Sequence, residues 1–195
     1  MKSGLIALIA LIAVVGVLVL GGLWYVSTGN SLVTLDENVK TSWSQVESVY
    51  QRRADLIPNL VNTVKGYAKH EADVLEAITQ ARASVGQIKV NSPDDLKKFD
   101  AAQSQLSGAL SRLLVVSEKY PDLKADKNFL ELQSQLEGTE NRITIERQRF
   151  NETARVYNTA IRQFPGSIVA GNKGFKERAY FASKAGAENA PEVKF

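Results

Sequence analysis

The sequence predicts an all-α protein: an N-terminal transmembrane helix, then an up-and-down bundle of long antiparallel helices, the first kinked at Pro58, and a short C-terminal helix. Three observations predict this. An uncharged apolar run opens the chain. Beyond it, apolar residues recur with the 3-4 alternation of a helical seam. No segment shows the sustained period-two alternation of a strand.

After a flank at residues 1–3, the run Gly4–Val26, "GLIALIALIAVVGVLVLGGLWYV", has 23 residues and no charge. As a helix it measures about 34 Å, enough for a hydrocarbon core of roughly 30 Å. It is too long for the apolar core of a cleaved signal peptide, and it ends in Trp24 and Tyr25, side chains suited to the membrane–water interface. It therefore reads as an uncleaved anchor in membrane lipid. Its small residues, spaced three apart from Gly4 to Gly16, form no GxxxG and read as composition. Lys2 lies before the span and Asp36 and Glu37 after it, so the positive-inside bias puts the large domain outside the cytoplasm.

Residues 27–30, "STGN", read as a linker to a bundle over 31–165. Within it the seam runs Val39, Trp43, Val46, Tyr50, Arg53, Ile57, Leu60, Val64, Tyr67, Glu71, Val74, Ile78, Ala81, Val85, Ile88, which calls for a helix from about Ser31 to Ile88. Pro58 removes the amide that would bond the Ala54 carbonyl, so it either kinks this helix or turns it into a hairpin. The seam keeps its register through the proline, which favours a kink. A second helix follows from Pro93 to about Ser117: Ser92 can cap it, Pro93 fits its first position, and Asp94 and Asp95 favour its positive end. The third runs from near Asp126 to Pro165, with Phe129, Leu136, Ile143, Phe150, Tyr157 and Phe164 seven apart. Residues 166–195 form a tail with turn signals and room for one short helix around Lys176.

Four seam positions carry charge: Arg53, Glu71, Glu140 and Arg147. Their heads stay wet at the bundle edge, pair across helices and fix register, or form a ligand site. Arg53, Pro58 and Glu140 together read as a structural joint, in which Pro58 sets a bend and Arg53 reaches both Glu140 and the carbonyl the proline orphans. In the tail, Lys173, Lys176, Arg178 and Lys184 interleave with Phe175, Tyr180 and Phe181. These aromatics would fold the tail back on the bundle; the alternative is contact with anionic lipid or a partner through the same residues.

Several chemistries are disfavoured. With 24 basic and 21 acidic residues, a net charge of +3, the chain lacks the dominant basic face of a nucleic-acid binder. The absence of cysteine removes disulfides, thiolate metal sites and a thiol nucleophile. The single histidine, His70, has valine four residues on and no second histidine to complete a zinc or di-iron motif. No phosphate-binding loop is present. No catalytic, cofactor or metal site follows, and the expectation is a non-enzyme.

"LDENVKTSWSQVESVYQRRADLIPNLVNTVKGYAKHEADVLEAITQAR", with the later "NETARVYNTAIRQFPGSIVAGNKGFKERAYF" and the closing "PEVKF", resembles the LemA family over nearly the whole chain. The resemblance implies a bacterial membrane-anchored helical bundle. Some members carry a lipobox cysteine; this chain has none and relies on its apolar helix. A magnetosome-associated branch points to membrane organisation, and the family supplies no catalytic residues to carry over. The expected function is a single-pass scaffold in the bacterial inner membrane, a homo-oligomer that organises the membrane or membrane partners. The alternative is an accessory subunit of a membrane-associated enzyme such as a protease.

Overall fold

A computed structural model describes residues 2–90 and 92–182 of the chain. The described residues form six helices and no strand: α1 (Lys2–Tyr67), α2 (Ala72–Gly86), α3 (Pro93–Ser117), α4 (Pro121–Lys124), α5 (Lys127–Arg162) and α6 (Gly166–Lys173). They divide into two compact units, one of Met1–Thr41 with Glu152–Arg178, the other of Ser42–Asn151 with Ala179–Phe195.

The first helix departs from the sequence reading at both ends. Residues 27–30 are not a linker but part of α1. Extending an existing helix costs far less than starting one, and here the hydroxyls of Ser31 and Thr34 bond back to the carbonyls of Ser27 and Asn30, each at 3.1 Å, so these polar side chains are satisfied within the helix. At the other end α1 stops at Tyr67 rather than reaching Ile88. The chain reverses over 68–71, where Ala68 N–H still bonds Val64 and Glu71 N–H bonds the Ala68 carbonyl. Reversal lets Leu75 and Ile78 of α2 join one core with Ile57, Leu60 and Val64 of α1. A continuous helix would carry Leu75 and Ile78 away from this core. Pro58 lies inside α1, on its exposed face, and 56–61 are helical, so no hairpin forms there.

In the second unit the partners give the helix directions. Along α1, Trp43 meets Phe150, Arg53 meets Glu140 and Tyr67 meets Asp126, so α5 runs antiparallel to α1. Tyr50 meets Phe99 and Arg53 meets Ser107, so α3 runs parallel to it. With α2 returning between them, the order is up, down, up, down. The short connections are well marked. Ser92 caps α3 by accepting the Asp95 N–H at 3.2 Å, and Asp126 caps α5 by accepting the Phe129 N–H at 2.9 Å. At one level of this unit, Leu106 and Leu113 of α3 and Phe129 of α5 complete the core. At another, Trp43 packs against Phe99, Phe150 and Phe181 with ring centroids 5.6–6.0 Å apart.

In the first unit, the segment 4–26 of α1 presents apolar side chains outward, among them Leu11 at 61% exposure and Leu18 at 69%. Past it, Leu32 and Val39 of α1 are buried, as are Tyr157 and Ile161 of α5 and Val169 and Ala170 of α6. The short tail helix is α6, earlier in the chain than expected, and residues around Lys176 are not helical. Gly174 explains the stop. It takes φ 74°, and the Phe175 N–H returns to the Ala170 carbonyl at 3.0 Å, a glycine-terminated helix end.

Candidate functional site

The charged seam residues are where a ligand or register site would lie, and the structure distributes them into separate layers. In the second unit, α1 delivers Arg53 into the core at 6% exposure. Its Nη1 is 3.1 Å from Glu140 Oε2 on α5, and its Nη2 donates to Ser107 Oγ on α3 at 2.7 Å. Burial pushes this guanidinium below its ordinary pKa, and the Glu140 carboxylate opposes the shift. One side chain thus ties three helices.

Pro58 is not served by Arg53. The Ala54 carbonyl accepts instead from Arg82 Nε of α2, at 2.8 Å. Sequence reasoning missed Arg82 because it carried one helix through 68–71. Once the chain folds back there, Ala54 and Arg82 stand at similar distances from the reversal and on facing helices.

A second layer centres on Arg147 of α5. Its Nη1 lies 2.9 Å from Asp100 Oδ1 of α3, its Nη2 donates to the Ala182 carbonyl at 3.1 Å, and its guanidinium sits 4.4 Å from the Phe181 ring centroid. Burial raises the neighbouring Tyr50 hydroxyl pKa, against the pull of Arg147. Glu71 does not lie on a seam; it is at the reversal and accepts from Tyr120 Oη at 3.1 Å. His70 is exposed at the same reversal.

The tail is held by two asparagines the sequence did not single out. Asn158, 3% exposed, accepts the Arg178 N–H and donates to the Arg178 carbonyl, both at 2.8 Å. Asn151 makes the same pair of bonds with Phe181, at 2.9 and 3.0 Å. Their spacing of seven along α5 was the available signal, since it repeats one helix face. In the first unit Arg178 also reaches Asp36 Oδ1 of α1 at 2.7 Å, and Lys40 lies 3.1 Å from Asp36 Oδ2. Burial raises the Asp36 carboxyl pKa, but the bonds from Arg178 and Lys40 outweigh it and hold the carboxyl below the ordinary aspartate range. Phe175 packs edge-on against Tyr157, and Tyr157 Oη donates to the Lys176 carbonyl at 3.0 Å. Of the six tail residues singled out, Phe181 is therefore buried, Phe175 and Arg178 are seated on helices, and Lys173, Lys176 and Tyr180 are exposed.

Among the described residues no group of His, Cys, Asp and Glu converges as metal ligands would. What the arrangement does chemically is match each seam charge with an opposite charge or a carbonyl, a pattern suited to fixing helix register.

The LemA family model matches residues 42–195. Similar proteins include magnetosome protein MamQ of Magnetospirillum gryphiswaldense, 27% identical over 80% of this chain. Magnetosome protein MamQ 1 of Paramagnetospirillum magneticum is 26% identical over 80%, and protein LemA of Metamycoplasma hominis is 28% identical over 75%. The chain spans 65% of the length of each of these relatives. The match covers both the charged layers and the tail that the asparagines hold, and on it the chain belongs to the LemA family.

Proposed function

We propose that this chain is a single-pass membrane scaffold that acts by association rather than catalysis, assembling with copies of itself to organise the membrane or membrane partners. The observation that carries this reading is α1, which runs without a break from the apolar segment 4–26 into the buried seam ending near Val64. Within the first unit this helix carries the apolar segment directly into the buried Leu32 and Val39, with no flexible linker between them. The names of the MamQ relatives as magnetosome proteins agree with a role at an assembled structure. Purification of the whole chain in mild detergent tests it: a large homo-oligomer is expected. A stoichiometric enzyme partner would replace this reading with the accessory-subunit one. Nucleic acid has no place in either.

The membrane assigned is the bacterial inner membrane, with the bundle on the extracytoplasmic side, from Lys2 before the span and Asp36 and Glu37 after it. A C-terminal reporter active only in the cytoplasm would reverse that orientation. Arg53, Pro58 and Glu140 are assigned an architectural role in the same scaffold: the proline bends α1 and the Arg53–Glu140 pair locks it to α5.

A further inference from the structure

Among the described residues, the large apolar side chain most open to solvent is not in the apolar run. It is Phe164, 81% exposed, with Ile168 at 51% on the next turn of chain. Both sit at the corner where α5 gives way to α6. The corner is tightly built, since a Cβ at Gly166 would come within 2.5 Å of the Ala160 carbonyl oxygen, so α6 starts hard against α5.

The position of this corner along α1 can be read within the first unit. Asp36 of α1 and Tyr157 of α5 meet on one guanidinium: Arg178 bonds Asp36 and lies 5.9 Å from the Tyr157 ring centroid. Seven residues back along α1 is Gly29; from Tyr157, α5 continues five residues to its end at Arg162, and Phe164 lies two residues beyond. Seven residues of α1 rise about 10.5 Å and the five to the end of α5 about 7.5 Å, so the corner that carries Phe164 approaches the level of Gly29. Gly29 is itself met by α6, because a Cβ there would lie 2.6 Å from Lys173 Nζ. Gly29 stands three residues, about 4.5 Å, past Val26, while the interfacial layer outside the hydrocarbon is roughly 5–8 Å deep.

Charge agrees with that depth. Residues 2–35 and 153–176 contain no Asp or Glu, and beyond Lys2 their basic residues are Arg155, Arg162, Lys173 and Lys176. The first carboxylate beyond, Glu177, lies 3.5 Å from Arg162. An apolar tip flanked by cations, of which Arg162 is paired with Glu177 and Lys173 lies against Gly29, suits the boundary between lipid phosphates and acyl chains.

We propose that the α5–α6 corner inserts into the lipid headgroup layer beside the point where α1 leaves the membrane, with Phe164 and Ile168 in the acyl boundary and Arg162 and Lys173 at the phosphates. This rests on the reading of 4–26 as a membrane span. It gives the chain a second lipid contact far away in sequence, which stops α1 from swivelling about its span. It also moves the apolar lipid contact from the tail aromatics Phe175 and Phe181, which are packed on helices, to Phe164, which the helical seam had counted as core, and to Ile168.

The chain has no cysteine, so single labels are unambiguous. Four full-length variants, Phe164→Cys, Ile168→Cys, Leu18→Cys and Ser134→Cys, carry a nitroxide and are placed in vesicles of phosphatidylcholine and phosphatidylglycerol. The readout is the ratio of collisions with oxygen, which concentrates in lipid, to collisions with a water-soluble nickel chelate. The labels at 164 and 168 are expected to give ratios at least about threefold above that at 134, approaching that at 18. A lipid-like ratio at 18 with water-like ratios at 164 and 168 overturns the insertion and leaves the span intact. A water-like ratio at 18 overturns the span and the insertion together. A low ratio at 164 with spin–spin broadening assigns the corner to a second copy of the chain and also overturns the proposal. Matching circular dichroism of the four variants establishes that the fold is common to all.

Discussion

At residue scale the Arg53–Glu140 pair is the sharpest test of how charge enters this core. Arg53 is nearly enclosed, while the Glu140 side chain keeps 38% exposure. Removing one partner of an enclosed pair costs about 3–5 kcal/mol, and access of water to Glu140 reduces that to about 1–2 kcal/mol here. Arg53→Leu is expected to lower stability by that amount and to leave Ser107 without its donor. Arg53→Leu with Glu140→Leu should recover much of the loss, since a matched apolar pair replaces an ion pair well. Thermal melts of the four combinations measure the coupling, and additive effects would show that the pair does not act as a lock. Asp36 gives a pH test. Its folded pKa lies below the unfolded value of about 3.9, so its contribution is fully present above that value and is lost as pH falls through the folded pKa. Asp36→Asn should therefore lower the Tm at pH 7, and the gap to the parent chain should close between pH 5 and pH 2.

At the scale of elements, α1 and α2 are joined through a defect. Pro58 leaves the Ala54 carbonyl without a helical donor, and Arg82 supplies one. An acceptor left unpaired in a partly buried site costs about 1 kcal/mol, so Arg82→Met should destabilise by that order. In a Pro58→Ala background the restored backbone amide can take over the carbonyl, and Arg82→Met should then cost little. Equal losses in both backgrounds would show that Arg82 acts through packing or charge. The proposed bend at Pro58 predicts that the same Pro58→Ala change preserves the fold and straightens α1, read as a longer spin-label distance between positions 44 and 66; an unchanged distance overturns the bend. For α5, the paired bonds of Asn158 to the Arg178 backbone predict that Asn158→Leu frees the tail. Faster amide exchange at Arg178, with α5 itself still protected, is the expected signature.

At the scale of the whole molecule the apolar helix governs location. Deleting residues 4–26 should move the chain from the membrane fraction to the soluble fraction, because about 30 Å of apolar helix is a far stronger anchor than a single interfacial corner. A deleted chain that still resists carbonate extraction would place the main membrane attachment elsewhere.

Local signals in the sequence were enough for the apolar span, the helical class, and the bounds of α3, where a capping serine, an N-terminal proline and two aspartates mark one end. They were also enough for the α1 seam: Val39, Val46, Tyr50, Ile57, Leu60 and Val64 are all buried. The reversal at 68–71 was not legible. Apolar residues resume in phase on α2, and Glu71 at its start makes no side-chain capping bond. Periodicity records that a residue faces a core, not whether the core lies ahead on the same helix or across a turn. The partners were beyond local reading for the same reason. Arg82 finds Ala54, Asp100 finds Arg147 and Asn158 finds Arg178 only after the helices pack, because a buried polar group must be satisfied by whatever packing brings within about 3 Å. Phe164 is the converse case: its heptad position marks it as core, but α5 ends two residues before it, and the turn into α6 leaves it exposed.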